Sequence, residues 1–244
     1  MGRIQFIISL LSAATLTGLP GPAAGQEFPL GPLPEQVLFD FAATRMKDST
    51  PFIYRSGPEQ KRGAWVARGF ARCAFRLNDE RARVLLDSSI AARAHPVGYE
   101  KRYFQRFSGC VPSSGKVDVS LVRGALAEHT LLSTQPPQDY RATSSVPELI
   151  EYLRFVEALE ASEENLVTVT QLGYQCRAAV SPSATYAVLG TEPESAEEEK
   201  ALSELDGRTP LCDVFFERGD EVSHWFRRAF IARGLYYWER FLEA

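Results

Sequence analysis

Three histidines (His95, His129, His224) and four cysteines (Cys73, Cys110, Cys176, Cys212) are the soft ligands and nucleophiles in this 244-residue chain. Imidazole and thiolate could hold zinc, or run acid–base and nucleophilic chemistry. Their spacing does not suit either. No C-x-x-C, H-E-x-x-H, G-x-S-x-G elbow, P-loop or G-x-G-x-x-G occurs. His95 precedes Pro96 in a turn, and His129 falls near a helix end, where a cation suits the dipole. His224 stands beside Trp225 at a helix start. The acidic pairs Asp79/Glu80 and Glu163/Glu164 also mark helix starts, where capping accounts for them. No catalytic residue, metal ligand or cofactor is assigned from these patterns.

The arginines are better organised. Arg68, Arg72 and Arg76 recur at i, i+4 and i+8, which puts them on one helix ridge, and Arg102 and Arg106 form a second pair. Residues 33–132 carry 16 Lys+Arg against 10 Asp+Glu, whereas residues 146–244 carry 9 against 19. The net charge of −4 conceals this split. Solvated helix faces are the plain reading. The sharper one is a basic face that meets an anionic partner: the acidic half, a second copy, another protein, a membrane surface or a small anionic ligand. An exported protein of acidic overall charge with no nucleic-acid module is not expected to bind nucleic acid. Near the C-terminus, Trp225, Phe226, Phe230, Tyr236, Tyr237, Trp238 and Phe241 cluster, mostly on a core stripe. Trp238 is the one expected off that stripe, available as an aromatic contact.

Helices must position these groups. Cys73 to Cys110 spans 37 residues and Cys176 to Cys212 spans 36. Val66, Phe70, Cys73 and Leu77 step at helical spacing, as do Val169, Leu172, Cys176 and Val180. A short second helix follows each, at Asp79–Leu86 and Ser183–Leu189. A third then leads towards the second cysteine, at Tyr99–Phe107 and Ser195–Leu205. Closing helices begin after Val119-Ser120 and Val222-Ser223. Leu33-Pro34-Glu35 and Val146-Pro147-Glu148 open comparable runs, Ser145 being the N-cap of the second. The offset there is ten residues larger, and the turn-like segment Ser49–Pro58 accounts for it. The chain therefore reads as all-α: two tandem units of about five helices, at 33–132 and 146–242, joined by a proline-rich linker at 133–145.

An even cysteine count favours two disulfides, with zinc as the rival. Repeat symmetry favours Cys73–Cys110 and Cys176–Cys212. Each loop would stabilise by roughly 3–4 kcal/mol in the chain-entropy model. Residues 1–25 read as a secretory signal peptide: Arg3, an apolar stretch, Pro20-Gly21-Pro22, then Ala23-Ala24-Gly25 with the cut after Gly25. An uncleaved anchor is the alternative. No later stretch is long and apolar enough to span a bilayer.

The motifs around Cys73, Val84-Leu85-Leu86, Cys110 and Arg123–Glu128, with looser partners at Tyr186–Leu189 and Arg227–Ala232, resemble a group of exported, uncharacterised alphaproteobacterial helical proteins. The resemblance implies fold and location and supplies no catalytic residues. The expectation is a periplasmic or secreted, non-catalytic protein that acts through protein or envelope contacts or through self-association of oppositely charged units. A binding protein for a small anionic ligand near Arg68, Arg72 and Arg76 is the second reading, and an enzyme with an unfamiliar site the third. Peptide mapping of the unreduced protein is expected to recover Cys73 joined to Cys110 and Cys176 to Cys212. A Cys73–Cys176 peptide would overturn the two-unit reading.

Overall fold

The structure is a computed structural model and describes residues 57–92, 107–110, 119–134, 140–160, 169–216 and 222–244. Pro58 opens the first of these segments as helix α1 (Pro58–Leu77), where its missing amide leaves nothing unsatisfied. Glu59 in the first turn and Arg76 in the last complement the dipole. Asn78 ends α1 and starts α2 (Asp79–Ala92), its side-chain oxygen accepting from the Arg81 amide at 2.8 Å. Helix α3 spans Val119–Ser133 and α4 spans Val146–Glu160. Ser145 and Glu148 form a reciprocal cap at the start of α4. The Glu148 amide donates to Ser145 Oγ at 3.3 Å, and the Ser144 amide donates to Glu148 Oε2 at 2.7 Å. Helices α5 (Val169–Val180), α6 (Pro182–Leu189), α7 (Ala196–Arg208) and α8 (His224–Glu243) follow. Short 3-10 turns at Ser108–Cys110 and Pro210–Phe215 each carry a cysteine. Among the described residues all regular structure is helical. The helices expected near residue 33 and over 99–106 lie outside the described residues, as does the Ser49–Ser56 part of the insertion.

Helix α8 lies against α3 and α5 together. Its residues from Trp225 to Trp238 are buried almost all the way round, as a core helix must be. Two glycines set how closely its neighbours approach. A β-carbon on Gly124 of α3 would fall 2.3 Å from Ala229 Cβ and 2.5 Å from Ala229 Cα. One on Gly234 of α8 would fall 2.8 Å from Gln175 Cα and 2.9 Å from Ala178 Cβ. The Tyr152 hydroxyl donates to the Gly234 carbonyl at 2.7 Å, tying α4 to the same contact. Helices from both sides of residues 133–145 thus contribute to one hydrophobic core.

Helix α1 departs from the stripe read from its large apolar residues. Its buried face is Gln60, Ala64, Ala67, Phe70, Ala71 and Ala74, while Leu77 is 63% exposed. Alanines let α3 pack near the α1 backbone. Leu77 is the last residue of its helix, beyond the reach of that packing. Cys73 bonds Cys110 and Cys176 bonds Cys212, with Cα separations of 5.6 and 5.8 Å, so each bridge fastens a helix to its own 3-10 turn. Arg177 adds a polar clamp at the second turn. It donates to Asp213 at 2.8 Å, pairs with Asp206 of α7, and lies 4.6 Å over the Phe216 ring.

Trp238 corrects another expectation. It is 1% exposed. Its indole N–H donates to the Arg141 carbonyl at 2.6 Å and its ring meets Tyr152 edge-on at 5.2 Å. The strand of chain entering α4 covers the side of α8 that periodicity assigned to solvent, and the indole nitrogen finds its acceptor there.

Gly124→Ala is expected to lower stability by roughly 2 kcal/mol, because overpacking outweighs the gain in helix propensity. Gly69→Ala on α1, where nothing lies within 4 Å of the added carbon, is expected to raise it by about 0.5–1 kcal/mol. Urea midpoints measure both, and equal gains at the two positions would contradict the close contact at Gly124.

Candidate functional site

Arg68 and Arg72 stand one turn apart on α1, Arg68 partly buried and Arg72 exposed. Arg68 crosses to Glu128 of α3, donating to Oε1 at 2.8 Å. Glu128 is buried and also accepts from Arg228 of α8, at 3.0 Å from one nitrogen and 3.2 Å from another. Arg228 is 3% exposed. Besides Glu128 it reaches Glu198 of α7 at 2.5 Å and the carbonyls of Val188, Leu189 and Thr191 at 3.2, 2.8 and 3.1 Å. Those carbonyls end α6, where a cation suits both the orphan acceptors and the dipole. Burial lowers the Arg228 pKa, but Glu128 and Glu198 outweigh this and hold it above the usual range.

Glu198 is the N3 residue of a capping box. Ser195 Oγ accepts from its amide at 3.1 Å, and its own carboxylate accepts from the Glu194 amide at 2.7 Å. His224, at the start of α8, places Nε2 2.7 Å from the same carboxylate. Burial pushes the Glu198 pKa up, yet the contacts with His224, Arg228 and the Glu194 amide hold it below the usual carboxylate range. The carboxylate is spoken for on every side, which suits a structural anchor better than a proton-transfer group. His224 stands at the helix start that the sequence indicated, but its carboxylate partner was not legible there. The S-x-x-E sequence at 195–198 was the available signal, since a capping glutamate at a buried helix start draws cations.

Beside this network, α1 and α3 border an open recess of about 180 Å³. Ala71 and Ala125 form part of its wall, with Arg68 and Glu128 at one side. Trp65 and Leu132, 45% and 41% exposed, supply apolar surface. Trp65 leans on Trp225 at 6.2 Å, and the Arg68 guanidinium lies 5.7 Å from the Trp65 ring centre. Arg72 and His129 line the recess as well, and Glu192 reaches it from the loop after α6. The His129 ring packs 4.5 Å from that of Phe75. Burial pushes its pKa down, so at neutral pH it is an uncharged donor and acceptor. It lies within α3 and lines the recess, where the sequence had suggested a dipole cap. Arg72 makes no salt bridge among the described residues, and neither does Glu192.

The structure thus brings together two of the five arginines singled out from sequence. Arg76 is exposed in the last turn of α1 and does not line the recess. Arg102 and Arg106 lie outside the described residues, as does His95. Among the described residues no three of His, Cys, Asp and Glu gather as a metal-binding group, and no helix is long and apolar enough to cross a membrane. Comparison with protein-family models, curated proteins and solved structures finds no match for this chain.

Glu198→Gln is expected to destabilise by roughly 3–5 kcal/mol at pH 7, because it leaves Arg228 buried with one charge partner fewer. The sign with pH follows from the lowered carboxylate. Its contribution is present above the unfolded pKa of about 4.3 and lost as pH falls through the folded value. The variant is therefore expected to lose less stability than wild type between pH 7 and pH 3, measured by urea unfolding. Parallel losses in the two proteins would refute the assignment.

Proposed function

We propose that this chain is an extracytoplasmic, non-catalytic binding protein whose recess between α1 and α3 takes a small ligand through an anionic group. Two disulfides call for an oxidising compartment. An N-terminal signal at 1–25 and a periplasmic or secreted location fit that requirement. One observation carries the reading: Arg72, with no salt bridge among the described residues, shares a concave recess with half-exposed Trp65 and Leu132. A cation beside apolar surface is what an anionic ligand with an apolar body needs. A surface for a protein partner would present arginines on a flat or convex patch, whereas Arg72 here stands on the wall of a recess. Glu198 is fully engaged by its neighbours, which suits a structural role.

The pairing of α1 with α3 and of α5 with α8, each pair beside its own disulfide, supports a duplicated origin. On that reading the recess belongs to the first copy and Glu192 reaches it from the second. That contact gives the two copies a shared task.

The disulfide-intact protein is expected to bind 3-phenylpropionate with a Kd near or below the millimolar range, about −4 kcal/mol, read as a change in tryptophan fluorescence. Arg72→Gln is expected to weaken that binding by about 10- to 100-fold, the loss of a charge-assisted contact, with an unchanged melting temperature. No detectable binding of the acid, or equal binding by the variant, would overturn the proposal.

A further inference from the structure

The charges around the recess do not fit a simple anion best. Arg68 is spent on Glu128, and Glu128 is shared with Arg228. The Arg68 guanidinium also covers the Trp65 ring, so that face is not a free cage for a quaternary ammonium. Two charged groups on the recess wall make no salt bridge among the described residues: the cation Arg72 and the carboxylate Glu192. His129 adds no charge at neutral pH. A multiply charged anion such as a phosphate would face Glu192 and the Glu128 carboxylate with one available guanidinium. A ligand carrying one charge of each sign would complement both groups.

From this balance, and resting on the ligand-binding reading above, we infer that the recess takes a zwitterionic apolar amino acid. Its carboxylate meets Arg72, its ammonium meets Glu192, and its side chain lies against Trp65 and Leu132. Size agrees. The volume of about 180 Å³ is far above the roughly 10–15 Å³ that one water needs and below the about 300–1,000 Å³ of drug-sized sites. One amino acid, with part of it left in solvent, suits such a space. A peptide would overrun it. The apolar surface at Trp65 and Leu132 selects a hydrophobic or aromatic side chain over a polar one.

Three probes separate the alternatives by calorimetry on the disulfide-intact protein: phenylalanine, 3-phenylpropionate, which lacks the amine, and phenethylamine, which lacks the carboxylate. Phenylalanine is expected to bind at least tenfold more tightly than either. Glu192→Gln, at an exposed position, is expected to erase the advantage of phenylalanine over 3-phenylpropionate and leave the affinity for the acid unchanged or slightly raised. If 3-phenylpropionate binds wild type as tightly as phenylalanine, the zwitterion inference falls while anion binding by the recess stands. If phenethylamine binds tightest, or none of the three binds, the ligand-binding reading falls with it.

Discussion

The buried guanidinium of Arg228 is the interaction on which the arrangement of helices depends. Taking such a charge out of water costs several kcal/mol even after relaxation, so it persists only where every donor finds an acceptor. Here the acceptors come from Glu128 on α3, Glu198 on α7 and the carbonyls that end α6. No single helix supplies them. Only an arrangement that brings those three elements to the first turns of α8 at once satisfies Arg228. The ion pair to Glu128 therefore specifies how the N-terminal half sits on the C-terminal half, whatever its net contribution to stability. It also runs against the bulk charge pattern. The carboxylate belongs to the net-positive half and the guanidinium to the net-negative half, whereas Lys61–Glu194 at the surface follows the pattern.

Small residues make that geometry reachable. Gly124 lets α3 come within backbone distance of Ala229, one residue from Arg228, and Glu128 follows one turn later on α3. The alanine face of α1 then seats that helix on α3 and brings Arg68 to Glu128 Oε1, the oxygen that Arg228 also contacts. The recess follows from this layering. Two helices packed through alanines leave a shallow trough between their longer side chains, and Trp65, Arg72, His129 and Leu132 are the ones that border it.

Much of the local structure is legible in the chain. Ser145 with Glu148 and Ser195 with Glu198 announce two helix starts, because a hydroxyl and a carboxylate three residues apart satisfy the orphan amides without help from elsewhere. Pro58 and Pro182 do the same for α1 and α6. Paired spacing of the cysteines indicated the two bridges. What could not be read was the facing of each helix. Leu77 and Trp238 exchanged the roles that periodicity gave them. Burial of an end residue depends on whether another segment passes over it, and the chain near Arg141 does so for Trp238. His129 and His224 were likewise visible as residues but not as neighbours of Arg72 and Glu198.

The amino-acid sequence alone determined the helical class, the helix starts, the cysteine frames and the ridge that carries Arg68 and Arg72. Those are set by interactions within about one helical turn or by repeated spacing. Tertiary structure decided which charges are paired and which are left over. Glu128 lies 60 residues from Arg68 and 100 from Arg228, and no pattern of near neighbours encodes contacts over such distances. Only when the helices pack do Arg68 and Arg228 consume the Glu128 charge, leaving Arg72 and Glu192 on the recess wall with no salt bridge among the described residues.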